Sequence, residues 1–84
     1  MNNIAIFASG SGTNAENIIK YFSNRKTAKV ALVLSNNPEA YVLKRSAKHN
    51  VPAIIFDRRD FYETENVLRI LDDYDIKYIV LAGF

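Results

Sequence analysis

The stretch Ile4-Ala5-Ile6-Phe7-Ala8-Ser9-Gly10-Ser11-Gly12-Thr13-Asn14 decides how this chain is read. Its first five residues are apolar without interruption, the mark of a strand buried on both faces rather than one that meets water. Ser9-Gly10-Ser11-Gly12 then stops the strand, and glycine is the residue that accepts the left-handed backbone of a sharp turn. A helix should follow at once, because Ala15, Ile18, Ile19 and Phe22 recur at helical spacing. Thr13 and Glu16 stand in the T-x-x-E order of a capping box, in which each side chain bonds the other's backbone N–H. A buried strand, a glycine turn and a helix together open a parallel α/β sheet.

Working outward, the same alternation continues. Lys29 to Leu34 reads as a second buried strand, ended by Ser35-Asn36-Asn37-Pro38. Asn37 is expected to cap a second helix, with Pro38 in its first turn, an apolar stripe of Ala40, Leu43 and Ala47, and Asn50 closing it. Ala53 to Phe56 makes a short third strand. A third helix is expected over Tyr62 to Tyr74, with Val67, Leu68, Leu71 and Tyr74 on one face, and Tyr78 to Ala82 makes a fourth strand. Right-handed crossovers reduce the arrangements to few, and the common one is a Rossmann-like doubly wound sheet with strand order 3-2-1-4. Ligands of such sheets bind beyond the carboxyl ends of the strands, where the order reverses. That place is bordered here by Ser9–Asn14 and by Gly83-Phe84. The fourth strand ends the sequence with an apolar run, so the fold is expected to be truncated there, leaving an edge through which the chain self-associates.

Bulk composition narrows the classes. The chain has 84 residues, 49% of them hydrophobic and 24% charged, which is one ordinary globular unit or less. Eleven basic and nine acidic residues leave a formal charge of +2, too balanced for a nucleic-acid surface. Arg58-Arg59 lies between Asp57 and Asp60 and reads as a solvated loop. Cysteine is absent, which excludes disulfides and cysteine-held zinc and suits a reducing compartment. No apolar run approaches the roughly 20 residues that span a bilayer. Met1-Asn2-Asn3 lacks the basic start and apolar core of a signal peptide, so a cytoplasmic location is expected.

The chemistry sits in the glycine loop. Glycines let a ligand approach the backbone, the first-turn N–H groups of a helix are unpaired donors, and the helix dipole favours an anion there. Ser11, Thr13 and Asn14 add polar side chains, so a phosphate monoester fits without a lysine. Glu16 opposes this, unless its carboxylate turns back onto the Thr13 N–H as a capping box requires. No Gly-Lys-Ser/Thr follows, which excludes a P-loop. Gly10, Gly12 and Ala15 do satisfy the looser G-x-G-x-x-A dinucleotide pattern. The second strand nevertheless ends in Ser35-Asn36-Asn37, with neither the acid nor the basic residue that a nicotinamide cofactor's ribose needs. A single phosphate on a smaller molecule is the better match.

Three segments then carry a resemblance: IAIFASGSGTN (Ile4–Asn14), VLSNNPEAY (Val33–Tyr41) and IVLAGF (Ile79–Phe84). In this order and spacing the chain resembles the N-terminal part of the phosphoribosylglycinamide formyltransferase family, and the resemblance covers essentially all of residues 1–84. It implies formyl transfer from 10-formyltetrahydrofolate, without a metal, to the amine of glycinamide ribonucleotide in purine biosynthesis. It also implies that Gly12, Thr13 and Asn14 contact the substrate phosphate, and that Leu81 and Phe84 border the folate pocket. The family's catalytic asparagine, histidine and aspartate have no counterpart in the sequence, so the chain alone is expected to be inactive. His49 lies outside the family's Asn-x-His motif and is read as a helix-end residue facing solvent, far from the loop. Nothing is carried over to Arg58 or Arg59. Two other readings stay open: part of an NAD(P)-dependent oxidoreductase, and a non-catalytic phosphate-binding module.

Overall fold

The computed structural model describes residues 2–57 and 65–84. Among the described residues the elements in chain order are β1 (Asn2–Phe7), α1 (Thr13–Ser23), β2 (Ala28–Ser35), α2 (Val42–Lys48), β3 (Ala53–Ile55), α3 (Asn66–Asp73) and β4 (Ile76–Leu81). The strands form one parallel sheet in the order β3-β2-β1-β4, the common doubly wound arrangement expected from the sequence. β1 is central, and its side chains alternate between two cores. Ile4, Ile6 and Ala8 pack with Ala15 and Ile19 of α1 and Val42 of α2. Ala5 and Phe7 pack on the other face with Leu32, Leu34, Phe56 and Val67 of α3. An irregularity in the β1–β2 register passes from Ile4↔Val30 to Ala5↔Leu32, skipping Ala31. This is why Val30 and Val33, three apart, serve the same core. Among the described residues no helix is long and apolar enough to cross a membrane.

Three local expectations change. α2 starts at Val42 rather than beside Pro38. The Asn37 side chain caps a turn instead, its Oδ1 accepting from the Glu39 N–H at 3.0 Å while the Ala40 N–H donates to the Asn37 carbonyl. The later start rotates the buried stripe onto Val42 and Ser46 and leaves Ala47 exposed. Ser46 satisfies its hydroxyl locally, donating to the Leu43 carbonyl at 2.9 Å. Asn50 does end this segment, at a positive φ of 59°. In α3, Val67 is buried and Ile70, Leu71 and Tyr74 pack beside it, but Leu68 is exposed. Leu68 stands about 100° around the helix from Val67, off the face that meets the sheet. The stretch 62–64 of the expected third helix and the Arg58-Arg59 pair lie outside the described residues.

β4 pairs with β1 and with no other strand among the described residues. Tyr78, Ile79 and Leu81 are exposed along it, so its outer edge is open and apolar.

Candidate phosphate-binding loop

The loop is built between two strand ends. The β1 ladder runs on past Phe7, with the Ala8 N–H donating to the Leu34 carbonyl and the Ala82 N–H donating to the Phe7 carbonyl. At Ser9 the backbone N–H and the hydroxyl both turn to the Gly83 carbonyl, at 3.3 and 3.1 Å. The chain has thus joined the end of β4 before it enters the glycine turn. Gly10, Ser11, Gly12, Thr13, Asn14, Ala82 and Gly83 line a cleft of about 260 Å³ at the carboxyl ends of β1 and β4. The switch point predicted from topology is therefore a real concavity, and Gly12, Thr13 and Asn14, the residues that the resemblance assigns to a phosphate, stand on its wall.

Gly12 rather than Thr13 is the N-cap of α1, in the left-handed region at φ 82°, ψ 15°. Its position is set from behind. A Cβ there would lie 2.6 Å from the Val42 Cα, Cβ and Cγ2 atoms. The Val42 N–H also donates to the Gly10 carbonyl at 3.3 Å. The loop is thus pressed against the start of α2, and glycine is needed at residue 12 on two counts. Gly10, in contrast, has no atom within 4 Å of an added Cβ.

The capping box does not form. No side chain caps α1, and the Thr13 hydroxyl instead lies 3.2 Å from the Ser11 hydroxyl. Glu16 is turned away from Thr13 and nearly buried, at 7% exposure, beneath α2. Its Oε1 accepts from Arg45 Nη1 at 2.7 Å, and its Oε2 lies 2.9 Å from His49 Nε2 and 3.7 Å from Lys48 Nζ. The His49 hydrogen bond is foremost in holding the Glu16 carboxyl below its ordinary value of 4.5. Partial burial opposes it, while Arg45, Lys48 and Lys20 act with it. The acid that seemed to repel an anion is therefore matched by cations on the neighbouring helix.

His49 accordingly differs from expectation. It ends α2, but it is only 22% exposed and is bonded to the first turn of α1. It lines a second cleft, with Arg25, Lys29, Ile19 and Val51, and does not line the loop cleft. Arg45 is the residue that sequence reading missed. Its Nε donates to the Ser11 carbonyl at 2.7 Å, and its guanidinium lies 4.9 Å from the Tyr41 ring centre. The available signal was Glu16 itself. It adjoins the Ala15–Ile19 face that α1 buries, and a buried carboxylate calls for a cation.

At the opposite face of the same sheet end, Leu81 pairs in register with Phe7. The Phe84 ring packs edge-on against Phe7 at 5.5 Å and lies 5.9 Å from Phe56. Leu81 and Phe84 are 69% and 45% exposed, so they form an apolar border on the face of α3, across the sheet from α1. At the end of β2, Ser35 is fully buried, and its hydroxyl is engaged by the Asn37 backbone.

A doubly wound parallel sheet with a glycine loop at its switch point defines an α/β class whose ligands sit beyond the carboxyl ends of the strands. Within it the chain belongs to the formyl transferase family, whose profile matches residues 2–84. It is 36% identical to phosphoribosylglycinamide formyltransferase of Haemophilus influenzae over all of this chain and 42% of that protein. It is 30% identical to the trifunctional purine biosynthetic protein adenosine-3 of Gallus gallus over 96% of this chain and 9% of that one. The crystal structure of glycinamide ribonucleotide transformylase 1 from Geobacillus kaustophilus superposes with a TM-score of 0.86 at 38% identity. That match covers 100% of this chain and 47% of the solved one. The chain thus spans less than half the length of these relatives.

Proposed function

We propose that this chain provides the phosphate-binding part of a cytoplasmic glycinamide ribonucleotide formyltransferase of de novo purine biosynthesis. One observation carries the reading. In a chain of the formyl transferase family, the glycine loop opens a cleft at the strand switch point. The substrate phosphate would sit against the first-turn N–H groups of α1, with Gly12 allowing close approach and Thr13 and Asn14 adding side-chain donors. The ribose and the glycinamide amine would then extend across Ala82 and Gly83. An NAD(P) oxidoreductase is disfavoured, because the end of β2 offers a buried serine already bonded to backbone where a ribose-binding acid would stand.

The formyl donor is proposed to be 10-formyltetrahydrofolate, bordered by the apolar pair Leu81 and Phe84. In the transfer the amine nitrogen bonds to the formyl carbon, the bond from that carbon to the donor nitrogen breaks, and the proton that the amine gives up is balanced by the one that the departing donor nitrogen takes up. This requires a proton acceptor and donors for the tetrahedral oxyanion. The single histidine is committed to Glu16 and lines the other cleft. The 84-residue chain is therefore proposed to hold the phosphate without performing the transfer, and to self-associate through the open edge of β4.

Equilibrium dialysis tests the reading. Ribose 5-phosphate and glycinamide ribonucleotide should bind with Kd on the order of 1 mM, about −4 kcal/mol, while NAD and glycinamide riboside without its phosphate should not bind. Equal binding of the riboside would remove the phosphate as the handle and refute the proposal.

A further inference from the structure

The Arg45 guanidinium spends its contacts on the loop and its nearest acid rather than on solvent. Nε holds the Ser11 carbonyl, Nη1 holds Glu16, and the ring of Tyr41 lies beside it. The peptide joining Ser11 to Gly12 is planar and trans, so its N–H points opposite to its C=O. With the carbonyl held by Arg45 on α2, the Gly12 N–H points away from that guanidinium, and Gly12 is one of the residues that line the cleft. The same guanidinium balances Glu16 in the first turn, where a free carboxylate would weaken anion binding. Val42, three residues earlier on α2, closes the loop from behind through its N–H and its backbone contact with Gly12.

We infer that Arg45 is the positioning residue of the phosphate loop. It touches no ligand; it presets the Ser11–Gly12 peptide and draws the Glu16 carboxylate out of the anion's way. The inference rests on the phosphate-binding reading for its ligand half and on the free chain for its positioning half, so the two can fail separately.

The experiment uses the 84-residue chain with Arg45→Met and Arg45→Lys. Amide hydrogen exchange of the free proteins is read first. In Arg45→Met the Val42 and Glu16 amides should exchange at least about tenfold faster, with those of Ile6 and Leu34 unchanged. Unchanged exchange at Val42 and Glu16 overturns the inference, as does equal acceleration throughout the sheet, which would make Arg45 a general stabiliser. Ribose 5-phosphate is then titrated. Arg45→Met should lose about tenfold in affinity, the worth of one hydrogen bond to a charged group. Arg45→Lys, which keeps the charge but lacks the planar fork, should recover only a small part. Full recovery in Arg45→Lys would mean that net charge rather than peptide orientation matters, and would also overturn it. If the unaltered chain binds no ribose 5-phosphate, the phosphate reading fails, and the exchange pattern alone decides whether Arg45 fixes the loop.

Discussion

Replacing Gly12 by alanine adds a single methyl group and should be among the most damaging exchanges in the loop. Two costs combine. A non-glycine residue held in the left-handed region at φ 82° costs about 1–2 kcal/mol. The added Cβ would stand 2.6 Å from the Val42 backbone, a contact only a backbone shift can relieve, and such overpacking costs about 1–3 kcal/mol. The sum is about 2–5 kcal/mol, against a total of about 4–13 kcal/mol for a chain of this length. With a urea m-value of about 1 kcal/mol per molar, the unfolding midpoint should fall by about 2 M or more. Gly10→Ala is the matched control. An added Cβ meets nothing within 4 Å, and its midpoint should stay within about 0.5 M of the parent. Parallel urea titrations followed by circular dichroism make the comparison. A Gly12→Ala midpoint as close to the parent as that of Gly10→Ala would refute the claim that α2 presses the loop into its left-handed turn.

The acid side of the pH-stability curve should depend on Glu16. Its carboxyl is held below 4.5 in the folded chain, so its contribution is full above that value and is lost as pH falls through the lower folded-state value. Glu16→Gln should therefore flatten the urea-midpoint curve below about pH 4.5, and an unchanged curve would contradict the Arg45–Glu16–His49 assignment. Ile79→Lys places a charge on an exposed position of β4, whereas Val80 packs toward the inner core. Light scattering over a concentration series should show the parent associating and Ile79→Lys shifted toward monomer. A parent chain that stays monomeric throughout would refute pairing through this edge.

The inner strands β1 and β2 were legible because parallel strands buried on both faces read as unbroken apolar runs, and the order is the common doubly wound one among the few that right-handed crossovers allow. The cleft was legible for the same reason: topology fixes where the strand order reverses. What escaped was set by contacts between residues far apart in sequence. Thr13 and Glu16 have the spacing of a capping box, but Arg45 and His49, 29 and 33 residues from Glu16, compete for the carboxylate and win. The start of α2 depends on the Gly10 carbonyl accepting from Val42 as much as on Asn37, so local cap rules placed it too early. Leu68 is apolar yet outward, because the face of α3 is chosen by Phe7 and Phe56 below it rather than by the count of apolar residues.

The central claim is that the loop from Gly10 to Asn14 takes the phosphate of the substrate. Amide chemical shifts during a ribose 5-phosphate titration test it residue by residue. Ser11, Gly12, Thr13 and Asn14, which line the cleft, should move first and furthest, with shifts that saturate at millimolar ligand. Largest shifts at Arg25, Lys29 and His49, which line the other cleft, would contradict it.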